Sequence, residues 1–187
     1  MCWVFPRQLI MAQNAKIGHF TVCKGLAALR MGEHASIGRL NWISAYPLSQ
    51  DPNDHFASDV SRRPELILHA HAAVTNRHII DCTDLVTVGR FATVAGFRSQ
   101  VLTHSIDLLR ARQSSAPVSF GEFSFVGTGV ICLPGSALPD RSVLAAGSVM
   151  TSSLEHVGGL YAGVPAKFIK NVESDKGYFV REYGYVR

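Results

Sequence analysis

Apolar side chains recur every six residues along much of this chain. Phe120, Val126, Cys132, Leu138, Leu144 and Met150 follow one another at that interval, and two places before each stands a small or β-branched residue: Val118, Ser124, Val130, Ser136, Ser142 and Ser148. An α-helix would repeat at about 3.6 residues and a lone amphipathic strand at about two, ending after roughly eight. A step of six fits short flat strands that turn a corner after each repeat. Three such strands close a triangular coil of about eighteen residues, stacked on the next at roughly 4.8 Å, with every sixth side chain inside. The pattern predicts an all-β fold, a parallel β-solenoid shaped as a triangular prism.

The register extends backwards. Met31, Ile37 and Ile43 keep the step, and Ala15, Ile17, Gly18 and Ala35, Ile37, Gly38 repeat a small-x-aliphatic-Gly unit. Leu68, Val74 and Ile80 form another run, with two extra residues before Val88 and Val94, a slip that a corner can absorb without moving the interior stripe. One domain of 187 residues follows, with about five or six coils. N-terminal coils are predicted over 15–46, a polar excursion rich in Pro, Asp and Asn over 47–65, main coils over 66–153 and a cap and tail over 154–187. A second excursion, 102–117, leaves the prism at Thr103-His104-Ser105 and returns at Val118. Interruptions of a solenoid are where specific chemistry can be mounted. Tyr178, Phe179, Tyr183 and Tyr185 in the tail Glu173–Arg187 are expected to pack on a prism face or on a neighbour.

Composition narrows the function classes. No stretch reaches the roughly 18 apolar residues of a membrane span, and the first residues lack signal-peptide architecture, so a soluble, cytoplasmic protein is expected. Cys2, Cys23, Cys82 and Cys132 have no metal-ligand spacing and read as reduced thiols, Cys132 at an interior position. The net charge of +4 comes from basic residues scattered singly, which argues against nucleic acid and favours a small phosphate-bearing ligand, with Lys167 and Lys170 as the local pair.

The repeats are followed by the loop that opens with His104, then Val126-Gly127-Thr128-Gly129, Leu144-Ala145-Ala146-Gly147 and finally Tyr161-Ala162-Gly163-Val164-Pro165-Ala166-Lys167. In this order the chain resembles the left-handed β-helix (hexapeptide-repeat) acyltransferases, with galactoside, maltose and colanic-acid-type O-acetyltransferases the nearest; the similarity is densest from Leu66 to Val172. The resemblance implies an acetyl-CoA-dependent O-acetyltransferase acting on a sugar or glycan hydroxyl. It implies a homotrimer with sites between subunits, and no metal.

Acyl transfer from a thioester to a hydroxyl needs a base for the hydroxyl proton and an acid for the leaving thiolate, and one imidazole can serve as both. His104 matches the family's loop-root histidine. Its second ring nitrogen needs an acceptor, for which Asp107, Asp81 or a backbone carbonyl is available. By the resemblance, Thr128 faces the thioester, Ala146, Thr151 and Ser152 contact the pantetheine arm, and Lys167 and Lys170 meet phosphates. Pro165 holds Val164 extended and turns the chain back at the end of the prism. On the acceptor side, Asn76, His78 and Asp81 are candidates, with Asn41-Trp42 as another patch, and Phe125 stands where galactoside-type enzymes carry a tryptophan. Two other functions fit the fold. One is a zinc enzyme like the gamma-type carbonic anhydrases, using His69, His71, His78 and His104, although those lack the long histidine-rooted loop and the Gly-Val-Pro-Ala-Lys ending. The other is a non-catalytic binding or scaffold subunit.

Overall fold

The computed structural model describes every residue except Ser58, Val60 and Arg187, the last being the end of the tail considered above. Short strands stack into three sheets that form the faces of a prism, parallel throughout except where Lys167–Asn171 runs antiparallel to Gly159–Ala162. The first face has seven strands, from Trp3–Phe5 to Val149–Met150. The second has six, from Gln8–Met11 to Ala137–Leu138, and the third has eight, from Lys16–Ile17 to Lys167–Asn171. Coils therefore begin at Trp3, ahead of residue 15, and seven strands stack on the first face where five or six coils were expected.

Every sixth residue is inside, as the pattern requires. Phe120, Val126, Cys132, Leu138, Leu144 and Met150 are buried, and so are the residues two places earlier. Coil length is less uniform than a strict repeat. Ile131 stands under Val149, eighteen residues on, but Ile79 stands under Gln100, twenty-one on.

The corners hold the strain. Phe20, Leu40, Arg77, Arg98, Gly129 and Gly147 occupy the corner between the third and first faces, all with φ between 59° and 71°. That region suits glycine, so the bulky residues there cost backbone energy that the packed coils must offset. At the corner between the second and third faces, His34, His71, Phe91 and Phe123 stack in a column with centroids 5.0, 4.5 and 4.7 Å apart.

Both excursions leave from the remaining corner, between the first and second faces. One lies between Ser44 and Glu65; the other, between Val101 and Val118, is an antiparallel hairpin of His104–Asp107 with Arg112–Ser115. The tail folds back onto the third face. Tyr178 donates to the Ser124 carbonyl at 2.9 Å and stands edge-on to Phe125 at 5.5 Å, and Arg181 donates to the Phe91 carbonyl. Among the described residues no helix is long and apolar enough to cross a membrane. Cys2, Cys23, Cys82 and Cys132 are free; burial pushes the Cys23 and Cys132 thiols up to about 12.

Candidate active site

His104 starts the hairpin at the foot of the second excursion, and Asp81 ends the neighbouring first-face strand, Ile79–Asp81, one coil away. This register brings His104 Nδ1 to 2.7 Å from Asp81 Oδ2. Asp81 is held from several sides. Its Oδ2 also accepts from the Thr103 amide at 2.8 Å, the Thr103 hydroxyl at 2.9 Å and the His104 amide at 3.1 Å. Its Oδ1 accepts from the Thr83 hydroxyl at 2.6 Å and the Thr83 amide at 3.1 Å. Burial alone would push this carboxyl up, but the hydrogen bonds from His104, Thr83 and Thr103 and the nearby imidazole outweigh it and hold Asp81 down at about 2. The same Asp81 bond raises His104 above the ordinary histidine value, against burial and the neighbouring Arg62.

With Nδ1 committed, His104 Nε2 has no hydrogen bond among the described residues, and 31% of the side chain is open. The ring borders a cavity of about 320 Å³ shared with Ser44, Tyr46, Pro47, Asp81 and Thr83. Tyr46 and Phe56, from the first excursion, meet the imidazole edge-on at 5.6 and 5.9 Å. Arg62 ties that excursion down. Only 5% exposed, it donates to the carbonyls of Tyr46 and Pro47 at 2.7 Å and of Thr83 at 3.3 Å, and stacks on Phe56 at 4.6 Å. The two excursions also join directly, Ser115 Oγ donating to Asp59 at 2.6 Å.

Several expected site residues stand elsewhere. Asp107 lies three residues along the hairpin, where its carboxylate accepts from the Leu109 and Arg110 amides and pairs with the Arg110 guanidinium at 3.0 Å, away from the imidazole. A β-strand alternates its side chains, so a residue three positions on points to the opposite face. Asp81, considered both as the histidine's acceptor and for the acceptor side, is the histidine's partner. His78 is buried, not outward-facing: Nδ1 accepts from the Ser99 amide at 3.2 Å, Nε2 meets Thr75 Oγ1 at 3.0 Å, and burial lowers its pKa to about 4. It occupies the place two before Ile80, where the later coils of that face carry Ser99, Val130 and Ser148, and that spacing was the available signal. Asn41, two before Ile43, is buried likewise and accepts the His78 amide at 2.9 Å. Asn76 Oδ1 accepts the Arg39 amide at 2.7 Å, and Phe125 packs under the tail.

Thr128 and Ala146 sit one above the other at the corner between the third and first faces, with Gly147 N donating to Thr128 O at 2.9 Å. Their own amides carry no hydrogen bond among the described residues. A Cβ on Gly129 or Gly147 would meet nothing within 4 Å, so this strip is open. Thr151 and Ser152 follow Val149–Met150 and lie at the His104 corner. Lys167 and Lys170 are exposed on the last strand of the third face, which reverses through a cis Val164–Pro165 peptide. Of the four histidines considered for zinc, three stand in different settings. His71 is stacked in the column, His78 is inside and His104 is on Asp81, and no cluster of three or more His, Cys, Asp or Glu forms among the described residues.

No family model matches the chain. The galactoside O-acetyltransferase of Escherichia coli strain K12 is 33% identical over 70 residues, 37% of this chain and 34% of that protein. A putative acetyltransferase of Schizosaccharomyces pombe is 35% identical over 77 residues, 39% of this chain and 36% of its own. The chain thus matches about a third of the length of these curated relatives. Among solved structures, AntD, an N-acyltransferase from Bacillus cereus in complex with dTDP-4-amino-4,6-dideoxyglucose and coenzyme A, superposes with a TM-score of 0.67 at 14% identity, over 89% of this chain and 83% of that one. A hexapeptide-repeat acetyltransferase of Vibrio cholerae complexed with acetyl-CoA gives 0.55 at 16% identity, over 86% and 72%. In local sequence and in fold, the chain is similar to the hexapeptide-repeat acyltransferases. The coils are those of a left-handed parallel β-helix, the exception to right-handed crossover connections.

Proposed function

We propose that the protein transfers an acetyl group from acetyl-CoA to a hydroxyl of a sugar or glycan, with His104 as the base. The observation that carries this is the Asp81–His104 pair, 2.7 Å apart, which leaves Nε2 unpaired among the described residues on a ring that borders a cavity. With Nδ1–H donated to Asp81, Nε2 holds the lone pair. It takes the hydroxyl proton as the oxygen attacks the thioester carbonyl, and returns it to the sulfur as the C–S bond breaks. Asp81 fixes the tautomer and stabilises the imidazolium between the two steps. The free amide of Thr128 suits the oxyanion, and the open strip of Thr128, Ala146 and Gly147 suits a thin pantetheine arm. Thr151 and Ser152 would flank the arm, and Lys167 and Lys170 the phosphates.

Thr128 and His104 stand at opposite edges of the first face, a strand's width of roughly 15 Å apart, so the site needs a second copy. The three faces support this. The third is partly covered by the tail, and the outward row of the second mixes Arg30, Thr87 and Ser119 with Ile10, Ile67 and Ala137. Along the first face a bare apolar row runs through Trp3, Val22, Trp42, Ile79, Ile131 and Val149, interrupted only by Gln100. A homotrimer would bury it and bring the two corners together.

Coenzyme A release from acetyl-CoA is the direct test, run against a panel of sugars with mass detection of the acetylated product. His104→Ala is expected to lower the rate by about a hundredfold or more. A variant that keeps the full rate removes the proposal.

A further inference from the structure

The corner that carries Thr128 and Ala146 continues down the prism into a second feature. Arg77 N donates to Arg39 O at 3.0 Å and Arg98 N to Arg77 O at 2.9 Å, so three arginines stand in three successive coils, at a rise of roughly 4.8 Å each. None of the three guanidinium groups is in an ion pair among the described residues, although Arg30, Arg63, Arg90 and Arg110 all are. Arg77 and Arg98 hold φ of 59° and 61°, at places where the following coils use glycine. Like charges stacked at this spacing repel, and a strained corner is a costly place to put them.

Arg39 and Arg77 border a cavity of about 410 Å³ that has no carboxylate in its lining. Asn76 adds an amide, its Oδ1 already tied to the Arg39 backbone, so that its Nδ2 is left as a donor. Phe20, Leu40 and Phe97, each about half exposed, supply apolar walls. A planar ring can lie on such walls while an anion with charge spread along the prism axis meets the arginines. A single carboxylate answers one guanidinium, whereas a diphosphate answers two in adjacent coils.

We infer that this corner binds the nucleoside diphosphate portion of a nucleotide-linked sugar through Arg39 and Arg77. Its role as the acceptor rests on the acyl-transfer reading; the binding does not. The adenosine end of coenzyme A has the same chemistry, so the test carries both ligands.

Titration calorimetry at about 0.15 M salt, where distant exposed charges are screened, would use thymidine diphosphate, inorganic pyrophosphate, coenzyme A and a neutral galactoside. Pyrophosphate and thymidine diphosphate are expected to bind, the nucleotide more tightly. In Arg39→Gln/Arg77→Gln both should weaken at least about tenfold, the loss of charge-assisted hydrogen bonds, with coenzyme A unchanged. Arg77→Gly suits the positive φ and should melt no earlier than the parent, yet weaken thymidine diphosphate in the same direction. If coenzyme A weakens as much as thymidine diphosphate, the column serves the donor and the acceptor assignment is overturned. Absence of pyrophosphate binding, or equal binding by parent and double variant, overturns the site itself. Because binding is read without turnover, a failed transfer assay and a failed site give different results.

Discussion

Asp81 is the residue on which the candidate chemistry turns, because one carboxylate fixes both the protonation and the direction of His104. A base must be neutral to act, so the raised His104 value moves the acid limb of the rate profile above the ordinary histidine range. Asp81→Asn removes the charge and the strongest hydrogen bond. The midpoint of that limb should then fall back toward about 6.5, and the limiting rate should drop by about a hundredfold or more. A pH series of kcat on both proteins reads the two effects separately; a purely structural Asp81 would lower the yield of folded protein and leave the midpoint in place. The pair also shapes stability. Asp81 is depressed to about 2 from the ordinary 3.8, so its contribution is present above the ordinary value and lost as the pH falls toward the folded one. His104 is raised, so its contribution is present below the ordinary histidine value and lost as pH rises through the folded one.

At the scale of elements, the prism is a set of strands that tolerate little variation and corners that tolerate a great deal, within steric limits. Gly127 is one such limit. A Cβ there would lie 2.6 Å from Ala146 N in the next coil, against backbone that cannot swing aside. Gly127→Ala should therefore cost about 1–3 kcal/mol, visible as a lower midpoint in chemical denaturation. The excursions show the opposite tolerance. Both leave from one corner; Arg62 ties the first down and Ser115 joins it to the second, so that aromatic rings from one enclose the histidine of the other. Sequence periodicity places the excursions because the repeat stops and restarts, but it carries no information on how they meet. Tyr46, Phe56, Arg62 and Thr83 were missed for that reason.

For the whole molecule, the distribution of surface chemistry over three faces decides how copies would assemble. Ile79 lies midway along the bare row of the first face and is exposed in the single chain. Ile79→Glu leaves the interior untouched and should turn a trimer into monomers, as measured by light scattering coupled to size exclusion. Transfer activity should fall with it, because His104 and Thr128 of one chain do not meet. A variant that stays trimeric would mean that another face carries the contact.

The spacing of apolar residues determined the prism by itself, because a solenoid interior admits one side chain per repeat and the rule holds coil after coil. The same regularity located both interruptions, and the resemblance to a known family singled out His104 at the root of the second. Which carboxylate serves that histidine was a tertiary decision. Asp107 is close in sequence but points away along a strand, while Asp81, twenty-three positions earlier, is brought within hydrogen-bond reach by the stacking of coils. The placing of His78 and Asn41 inside, and the arginine column along one corner, arise the same way. Stacking joins residues that are a coil apart in the chain, and small differences in coil length decide which ones.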